Sequence, residues 1–368
     1  MIAFLYYSFL IVVIIQFVFY GYFYFRFAFY KEKEHNARKN CALSIIVCAK
    51  NEAENCKENI PYLLEQDLAN FELVLINDNS YDDTLAVFES FARKHKNIKI
   101  VNVRENEYFN SGKKYALSLG IKAASHEHLL FTDADCKPSS KSWARLIANS
   151  FTEHKKIVLA YGAYQKEKGF LNKFIRYETL ITALNYFSFQ LAEKPYMGVG
   201  RNLAYTKATF MDNNGFYTHL KVPSGDDDLF INEVATASNT TININPKAFT
   251  ISKAKTTYKD WFRQKRRHIN TAKYYKKIHQ VLLAINYSSL LLFWLIGIVL
   301  IIVQFQWQVV VGLLALKLLL QYIIIFATAK KLEEKDLIIF SPILEIVLIV
   351  MQLAQFLINK IKKPTHWN

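Results

Sequence analysis

The stretch LLFTDADC, residues 129–136, joins an apolar run to two closely spaced carboxylates. Its first half is typical of a buried strand, and Asp133 and Asp135 follow at the carboxyl end of that strand. Ligands of open α/β sheets bind at this edge. Carboxylate oxygens suit Mg²⁺ or Mn²⁺, whose coordination is completed by water and substrate phosphates. The stretch therefore predicts a site for a divalent metal and a phosphate, although turns with solvated carboxylates share the pattern.

Strand and helix patterns alternate around this stretch. Short apolar, β-branched runs predict buried parallel strands at residues 43–49, 72–77, 98–103 and 128–132. A first helix is expected at about residues 58–68 and a third at 113–123. The second helix is expected to be capped by Ser80 or Asp82 and to end at about Arg93. Such alternation indicates βαβ units. We therefore expect an α/β fold with a mostly parallel sheet and helices on both faces.

Polar residues follow three of the predicted strands. Asn51 and Glu52 follow the first strand, Asp78 follows the second, and Asp133 follows the fourth. Because the carboxyl ends of parallel strands share one edge of a sheet, these side chains are expected to converge.

Lys113 opens a predicted helix directly after Gly112. A helix N-terminus and an ammonium group both favour a bound phosphate. The spacing is not that of a Walker loop, because the upstream glycine is missing, and no G-x-G-x-x-G follows any strand. These absences argue against a P-loop or Rossmann cofactor site.

The 52% hydrophobic content of the 368 residues is concentrated at the two ends. Residues 2–25 carry no charge and are long enough to cross a bilayer, and they lack the basic start and the cleavage site of a signal peptide. Residues 281–303, 307–329 and 337–358 form further apolar runs. Lys317 interrupts the run 307–329. Because the run 337–358 contains Pro342 and Glu345, it is expected to be either a spanning or a re-entrant segment. We expect an N-terminal membrane helix in 1–30, a section of soluble composition in 31–280 and a membrane region in 281–368.

A formal net charge of +15 requires anionic partners. Much of the basic charge lies beside the apolar runs, at Arg26, Lys31, Lys33, Arg38, Lys39, Lys273, Lys276, Lys277, Lys360, Lys362 and Lys363. This pattern is typical of cytoplasmic flanks that face acidic lipid headgroups. It favours membrane lipids and a phosphorylated substrate over nucleic acid, and it predicts a plasma or inner membrane protein with residues 31–280 in the cytoplasm. The four cysteines form no C-x-x-C pair, as expected for thiols in a reducing compartment.

Seven motifs, in this order, resemble those of the membrane-bound family-2 glycosyltransferases, which include polysaccharide synthases and ceramide glucosyltransferase-like enzymes. The motifs are SIIVCAKNE (44–52), LINDNSYDDT (75–84), SGKKYAL (111–117), LLFTDADC (129–136), GVGRNLAY (198–205), SGDDDLF (224–230) and QKRRH (264–268). The resemblance covers about residues 43–280. It implies a GT-A fold, a nucleotide-diphosphate sugar as donor, a divalent metal, Mg²⁺ or Mn²⁺, and inversion at the anomeric carbon.

The resemblance also implies roles for individual residues. Asp133 and Asp135 would hold the metal, and the residues expected to bind the donor are Asn51, Glu52, Asp78, Lys113, Asp133, Gln264 and Arg267. The residues expected near the acceptor are Arg201, Asn202 and His268, the last of which replaces the tryptophan of the family's Q-x-x-R-W motif.

The catalytic base is expected in the acidic cluster at 226–228, although an acidic first turn of a helix has the same pattern. The family's Glu-Asp pair can be placed on Gly225 and Asp226 or on Asp226 and Asp227, and the sequence favours Asp227 as the base. The basic stretch 259–268 is also typical of a helix in the plane of lipid headgroups.

We expect a lipid-linked or membrane-associated acceptor. Three or four membrane segments offer few helices to line a polar conduit for a polymer. His268 also stands where polymerising relatives carry a stacking tryptophan. The alternatives are a processive polysaccharide synthase, similar to the poly-N-acetylglucosamine synthases, and a membrane scaffold that binds a nucleotide sugar without turnover. Retention of the metal carboxylates and the acidic cluster argues against the scaffold.

Overall fold

The computed structural model describes residues 1–32, 41–104 and 112–361, without the side chains of residues 267–269, 360 and 361. Ser111 of the third motif and the basic residues Lys33, Arg38, Lys39, Lys362 and Lys363 lie outside these described residues. The chain divides into two compact units. We call residues 32–167 and 195–256 the sheet unit, and residues 1–31, 168–194 and 257–361 the apolar-helix unit.

Ten strands and thirteen α-helices are present in the described residues. The strands are β1 (Leu43–Ala49), β2 (Phe71–Asp78), β3 (Ile98–Val103), β4 (His128–Asp133), β5 (Cys136–Pro138), β6 (Ile157–Ala160), β7 (Gly162–Tyr164), β8 (Leu203–Thr206), β9 (Thr240–Asn243) and β10 (Thr250–Ser252). The helices are α1 (Ile2–Val18), α2 (Phe25–Ala28), α3 (Ala53–Leu64), α4 (Thr84–Ala92), α5 (Lys113–Ala123), α6 (Trp143–Ala148), α7 (Phe170–Leu191), α8 (Lys207–Asp212), α9 (Asp228–Val234), α10 (Tyr258–Ile269), α11 (Lys277–Ile302), α12 (Trp307–Lys331) and α13 (Ser341–Ile361). A π-helical turn, Phe19–Tyr24, joins α1 to α2.

The main sheet has seven strands in the order β3-β2-β1-β4-β8-β6-β9. Four pairings are parallel, and only β8 runs antiparallel to its neighbours β4 and β6. This confirms the predicted, mostly parallel sheet. The chain moves outward from β1 to β2 and β3 and returns to the other side of β1 with β4. The carboxyl ends of β1 and β4 therefore border the crevice in which such sheets bind ligands. A second sheet has the order β5-β10-β7.

Helices cover both faces of the main sheet. Val47 of β1 belongs to a buried cluster that includes Ile60 of α3 and Trp143 of α6. On the opposite face, α5 packs so closely on β2 that a Cβ atom at Gly120 would lie 2.1 Å from Ile76 Cδ1. The absence of a side chain at position 120 permits this approach.

Helix α3 begins at Ala53 rather than near residue 58. The N–H of Ala53 donates to Asp82 Oδ2 at 3.1 Å, and the N–H of Glu52 donates to Thr84 Oγ1 at 2.9 Å. The loop after β2 thus supplies the acceptors that the start of a helix needs. The same loop starts α4, because Asp82, one of the two predicted caps, also accepts from the N–H of Thr84 at 3.1 Å. Ser80, the other predicted cap, instead accepts from the loop after β1.

Four helices of the apolar-helix unit are long and apolar enough to cross a membrane: Ile2–Ala28, Lys277–Ile302, Trp307–Lys331 and Ser341–Asn359. They correspond to the four apolar runs of the sequence. Phe9 of α1 stacks on Phe293 of α11 with ring centroids 5.6 Å apart. Gln16 of α1 donates to Ser289 of α11 at 2.7 Å.

The charged residues within the apolar runs form ion pairs. Lys317 of α12 donates to Glu345 of α13, with Nζ 2.7 Å from Oε2. Each residue supplies the partner that a charge among apolar helices requires. Arg176 of α7 similarly pairs with Glu334 and Asp336, in the connection from α12 to α13.

The two units differ from the predicted limits 1–30, 31–280 and 281–368. Helices α7 and α10 lie in the predicted middle section but belong to the apolar-helix unit. Their contacts explain the difference: Trp261 Nε1 of α10 donates to Glu178 of α7 at 3.1 Å, and Lys265 Nζ lies 3.0 Å from the same carboxylate. The polar composition of both helices is typical of a soluble domain. The buried contacts that join them to the apolar-helix unit appear only in the tertiary structure.

Candidate active site

Lys113 lies between two carboxylates at the carboxyl edge of the main sheet. Its Nζ is 2.9 Å from Asp133 Oδ1, at the end of β4, and 3.1 Å from Asp226 Oδ2, just before α9. Burial opposes the charge on Lys113, but the two carboxylates outweigh it and hold the pKa of the ammonium well above its usual value. All three residues line a small cavity of about 20 Å³. Lys113 thus connects two acidic segments that are distant in sequence.

Asp133 and Asp135 provide oxygen ligands suited to a divalent cation. Ligand atoms of Asp133, Asp135 and Cys136 all lie within 4.8 Å of one another. Burial, and then the charge of Asp133, raise the pKa of Asp135, so added positive charge would stabilise its carboxylate. Burial also raises the pKa of the Cys136 thiol, which therefore stays protonated and is a poor ligand for a hard cation. The two carboxylates fit Mg²⁺ or Mn²⁺.

The two candidate bases have different contacts. Both oxygens of Asp227 accept backbone N–H groups, from Gly200 at 2.7 Å and from Asp228 at 2.7 Å. Asp227 therefore fastens the segment around Gly200 to the start of α9, whereas Asp226 faces Lys113. Burial, followed by the charges of Asp226 and Asp228, raises the pKa of Asp227 to about 7.

Asn51 and Glu52 lie directly after β1, beside the crevice. Asn51 has a φ of +56°, and its Oδ1 accepts the N–H of Tyr81 at 2.8 Å, which links the loops after β1 and β2. The Glu52 carboxylate accepts from Asn55 Nδ2 at 2.6 Å. Burial raises the pKa of Glu52, and the nearby charge of Asp135 adds to the effect.

Asp78 ends β2 and is 2% exposed. Burial raises the pKa of its carboxyl group. Its Oδ1 has no hydrogen-bond partner among the described residues. Buried acceptors normally have a hydrogen-bond partner, and an N–H donor on a ligand would supply one for Asp78 Oδ1.

Asn202 is 0% exposed, and its amide is fully used within the protein. Its Oδ1 accepts from Trp143 Nε1 at 3.0 Å, and its Nδ2 donates to the carbonyl oxygens of Tyr161 and Ala248 at 2.9 and 2.8 Å. Because the side chain is buried and both of its N–H groups are donated within the protein, Asn202 is not accessible to an acceptor. The expectation that Asn202 contacts the acceptor is therefore corrected to a structural role.

Arg201 lies close enough to the predicted metal ligand Asp135 to affect its charge. Its charge opposes the raised pKa of Asp135. Its guanidinium lies 4.1 Å from the ring centroid of Tyr164, and Nη1 donates to Ser252 Oγ at 3.0 Å. The second sheet, which contains Tyr164 and Ser252, thus positions Arg201. No local sequence pattern indicates either contact.

Lys114 was not predicted to contribute to the site. It is 5% exposed, and its Nζ lies 2.8 Å from His219 Nδ1, 2.7 Å from the His219 carbonyl oxygen and 3.1 Å from that of Val222. Burial lowers the pKa of Lys114 to about 8. Burial and the charge of Lys114 lower the pKa of His219 to about 4, so a neutral imidazole accepts from the ammonium. Lys114 therefore holds the segment that leads to Asp226.

Gln264, Arg267 and His268 lie in α10 of the apolar-helix unit. Gln264 is half-buried, and the side chains of the other two are outside the described residues. Their expected contacts with donor and acceptor stay predictions.

Two family models match the chain. Residues 44–212 match Glycosyl transferase family 2, and residues 129–350 match Glycosyl transferase family group 2. The second match covers more than half of the chain and extends from β4 into the last apolar helix.

Among similar proteins, the poly-beta-1,6-N-acetyl-D-glucosamine synthase of Staphylococcus epidermidis is 32% identical over 93 residues, which are 25% of this chain and 21% of that protein. The cholesterol galactosyltransferase of Borreliella burgdorferi is also 32% identical over 93 residues, 25% of this chain and 25% of that protein. The matched stretch thus spans a quarter or less of either relative.

The mannosyltransferase PcManGT of Pyrobaculum calidifontis, solved in complex with GDP-Man and Mn²⁺, is similar in structure. The TM-score is 0.61 at 15% sequence identity, covering 90% of this chain and 99% of that chain. The likeness extends to the fold, which is the predicted GT-A fold with its mostly parallel sheet. With this fold and a family match over more than half of its length, the chain belongs to family 2 of the glycosyltransferases.

Proposed function

We propose that this protein transfers a sugar from a nucleotide-diphosphate donor to a lipid-linked or membrane-associated acceptor, with inversion at the anomeric carbon. The observation that carries the proposal is the position of Lys113, 2.9 Å from Asp133 and 3.1 Å from Asp226. The reaction needs positive charge for a diphosphate and a base for an acceptor hydroxyl within a few ångströms of each other. Through Lys113, Asp133, which suits the metal and the diphosphate, lies close to Asp226, which suits the role of base.

The donor would occupy the crevice between the ends of β1 and β4. The unpaired Oδ1 of Asp78 suits an N–H group of the nucleotide base. Asp133 and Asp135 would hold Mg²⁺ or Mn²⁺, which when bound supplies positive charge for the departing diphosphate. The ammonium of Lys113 and the guanidinium of Arg201 add fixed positive charge beside these carboxylates.

We assign the base to Asp226. During transfer, the acceptor oxygen bonds to the anomeric carbon as the bond to the diphosphate breaks, and a carboxylate takes the acceptor proton. Asp226 faces Lys113, whereas both oxygens of Asp227 accept backbone N–H groups. The sequence favoured Asp227, and the hydrogen bonds of Asp227 are the reason for preferring its neighbour. Asp227 then positions Gly200 and the start of α9.

A membrane-associated acceptor is supported by the four apolar helices of spanning length. One relative, a cholesterol galactosyltransferase, is named for a lipid acceptor, and another, a poly-N-acetylglucosamine synthase, is named for a polymer product. We favour transfer of one or a few sugars to a lipid, because four helices provide few walls for a polymer conduit. The basic flanks of the apolar runs favour a cytoplasmic location for the sheet unit.

A panel of nucleotide sugars tests the proposal. Purified full-length protein is incubated with each radiolabelled donor, Mn²⁺ and extracted membrane lipids. We expect one donor to release its nucleotide diphosphate and to move label into an organic-extractable product of low mass. We also expect exhaustive chelation to abolish the release and added Mn²⁺ or Mg²⁺ to restore it.

Three results would contradict parts of the proposal. Full release after chelation would exclude the metal, and label in high-mass glycan without lipid would favour the polymer synthase. Tight, metal-dependent donor binding with no release for any donor, with the lipids present, would favour a scaffold without turnover.

A further inference from the structure

The apolar-helix unit contains an open groove that plays no part in the site described above. The groove has a volume of about 810 Å³, and the end of the first helix and one face of α12 line it. This volume is in the range of sites that bind organic ligands, roughly 300–1,000 Å³. A ligand of substantial size can therefore be accommodated.

One wall of the groove changes from apolar to basic along α12. Tyr322, Phe326 and Lys330 are spaced by four residues and lie in one row on the helix face. A neighbouring row begins at Ile323 and ends at Lys331. Each row covers eight residues, or about 12 Å at the helical rise of 1.5 Å per residue. A ligand along this wall would meet apolar side chains first and ammonium groups last.

The opposite wall repeats this order at the end of the first helix. Phe29 is 50% exposed and is followed after one residue by Lys31, which is also exposed. Ala28 and Ala327, with the smallest side chains of the lining, leave room between the aromatic residues. Lys331 Nζ donates to the Ala28 carbonyl oxygen at 2.6 Å and so joins the two walls at their basic end.

The basic end of the groove has unneutralised charge. Lys31 and Lys330 are exposed, and neither forms an ion pair within the described part of the chain. Asp336, in the segment after α12, is already paired with Arg176. An anion at this end would therefore gain attraction without displacing a carboxylate.

We propose that this groove binds an anionic membrane phospholipid. One acyl chain would lie along the face of Tyr322 and Phe326, and the phosphate would lie among Lys31, Lys330 and Lys331. Both helices are of membrane-spanning length and end beside the groove. In a membrane crossed by these helices, the groove would therefore lie near the headgroups. The apolar wall disfavours a soluble anion, and the lysines favour an anionic over a zwitterionic headgroup. The proposal does not depend on sugar transfer, because lipid binding is measured without a donor.

Native mass spectrometry of the full-length protein, titrated with phosphatidylglycerol or phosphatidylcholine, tests the proposal. The double variant K31Q/K330Q removes two charges of the groove. The control variant K277Q/K335Q removes two exposed lysines of the same unit that do not line the groove. We expect the first variant to bind phosphatidylglycerol about tenfold or more weakly, and the control to change by less than about twofold.

A second pair of variants tests the apolar part without changing charge. Ala327→Phe fills the groove, whereas Ala315→Phe adds the same ring at an exposed position of α12 outside it. Only the first should lower phosphatidylglycerol binding. Equal losses in K31Q/K330Q and its control, phosphatidylcholine bound as tightly as phosphatidylglycerol, or unchanged binding in Ala327→Phe would each overturn the proposal.

Discussion

Lys113 sets the balance of charge at the edge of the main sheet. Its ammonium compensates Asp133 and Asp226, each within 3.1 Å. Asp135 and Asp227 are left with raised pKa values, because burial and neighbouring carboxylates disfavour their charged forms. The site therefore carries more negative charge than its lysine neutralises. A divalent cation between Asp133 and Asp135 would neutralise the excess negative charge at these two carboxylates.

The raised pKa of Asp227 predicts a dependence of stability on pH. An unfolded chain titrates aspartate at about 3.9, whereas the folded protein titrates Asp227 at about 7. Between these values the folded state binds the proton more strongly, so this group's contribution to stability falls as pH rises from about 4 to about 7. Asp227→Asn removes the titration. We expect the melting temperature of the wild type, relative to that of the variant, to decrease between pH 5 and pH 8.

The measurement uses the full-length protein in detergent without metal or donor. Glu54→Gln, at an exposed carboxylate at the start of α3, serves as the control. A constant difference in melting temperature between wild type and Asp227→Asn across this range would show that Asp227 does not titrate there.

Helix α5 links the two acidic segments of the site through consecutive lysines. Lys113 reaches Asp133 and Asp226, while Lys114 reaches His219 and the carbonyl oxygen of Val222. The segment held by Lys114 leads within a few residues to Asp226. The start of α5 therefore fixes both a proposed metal ligand, Asp133, and the proposed base, Asp226.

Lys114→Met should reduce turnover more than donor binding. The variant leaves three acceptors around His219 and Val222 without their donor, which costs about 1–3 kcal/mol for each buried group that stays unsatisfied. The loosened segment would hold Asp226 less well, while Asp133 and Asp135 remain in place. We expect kcat to fall roughly tenfold or more, with the dissociation constant of the donor changed little.

The matched control is Lys122→Met, at an exposed lysine of the same helix. It should retain the kcat of the wild type. An unchanged kcat in Lys114→Met, or a similar loss in both variants, would contradict a positioning role for Lys114.

The sequence predicted those elements whose signals are local. Strands β1 and β3 and helix α5 have their predicted bounds, because an apolar run or a glycine before a helix marks them without reference to the rest of the chain. The start of α3, the burial of Asn202 and the contacts of Lys114 were missed. Their partners lie about 30 to 105 residues away along the chain, so no window of sequence contains the interaction.

The apolar-helix unit accounts for features that had no explanation in the sequence. Lys317 and Glu345 interrupt two apolar runs because they pair with each other. Helices α7 and α10 have soluble composition but are joined by Trp261 and Glu178. The four helices of spanning length and the basic residues beside them make a membrane location the expected one.

Cysteine labelling of intact cells tests the expected orientation. Lys94→Cys places an exposed thiol in the sheet unit, and Val303→Cys places one at the far end of α11. Cys41, Cys56 and Cys136 are buried, so the background from them is low. A membrane-impermeant maleimide should label position 303 in intact cells and position 94 only after permeabilisation. Labelling of position 94 in intact cells would place the sheet unit outside.

In the proposed reaction, one edge of the main sheet binds a nucleotide sugar through Asp133 and Asp135 and transfers the sugar with Asp226 as the base. The most direct test measures donor affinity and turnover side by side in Asp135→Asn and Asp226→Asn of the full-length protein with Mn²⁺. We expect Asp135→Asn to weaken donor binding about tenfold or more. Asp226→Asn should bind the donor nearly as well as the wild type and lose about 10²-fold or more in turnover. Equal losses of donor affinity in both variants, or wild-type turnover in Asp226→Asn, would contradict these roles of Asp135 and Asp226.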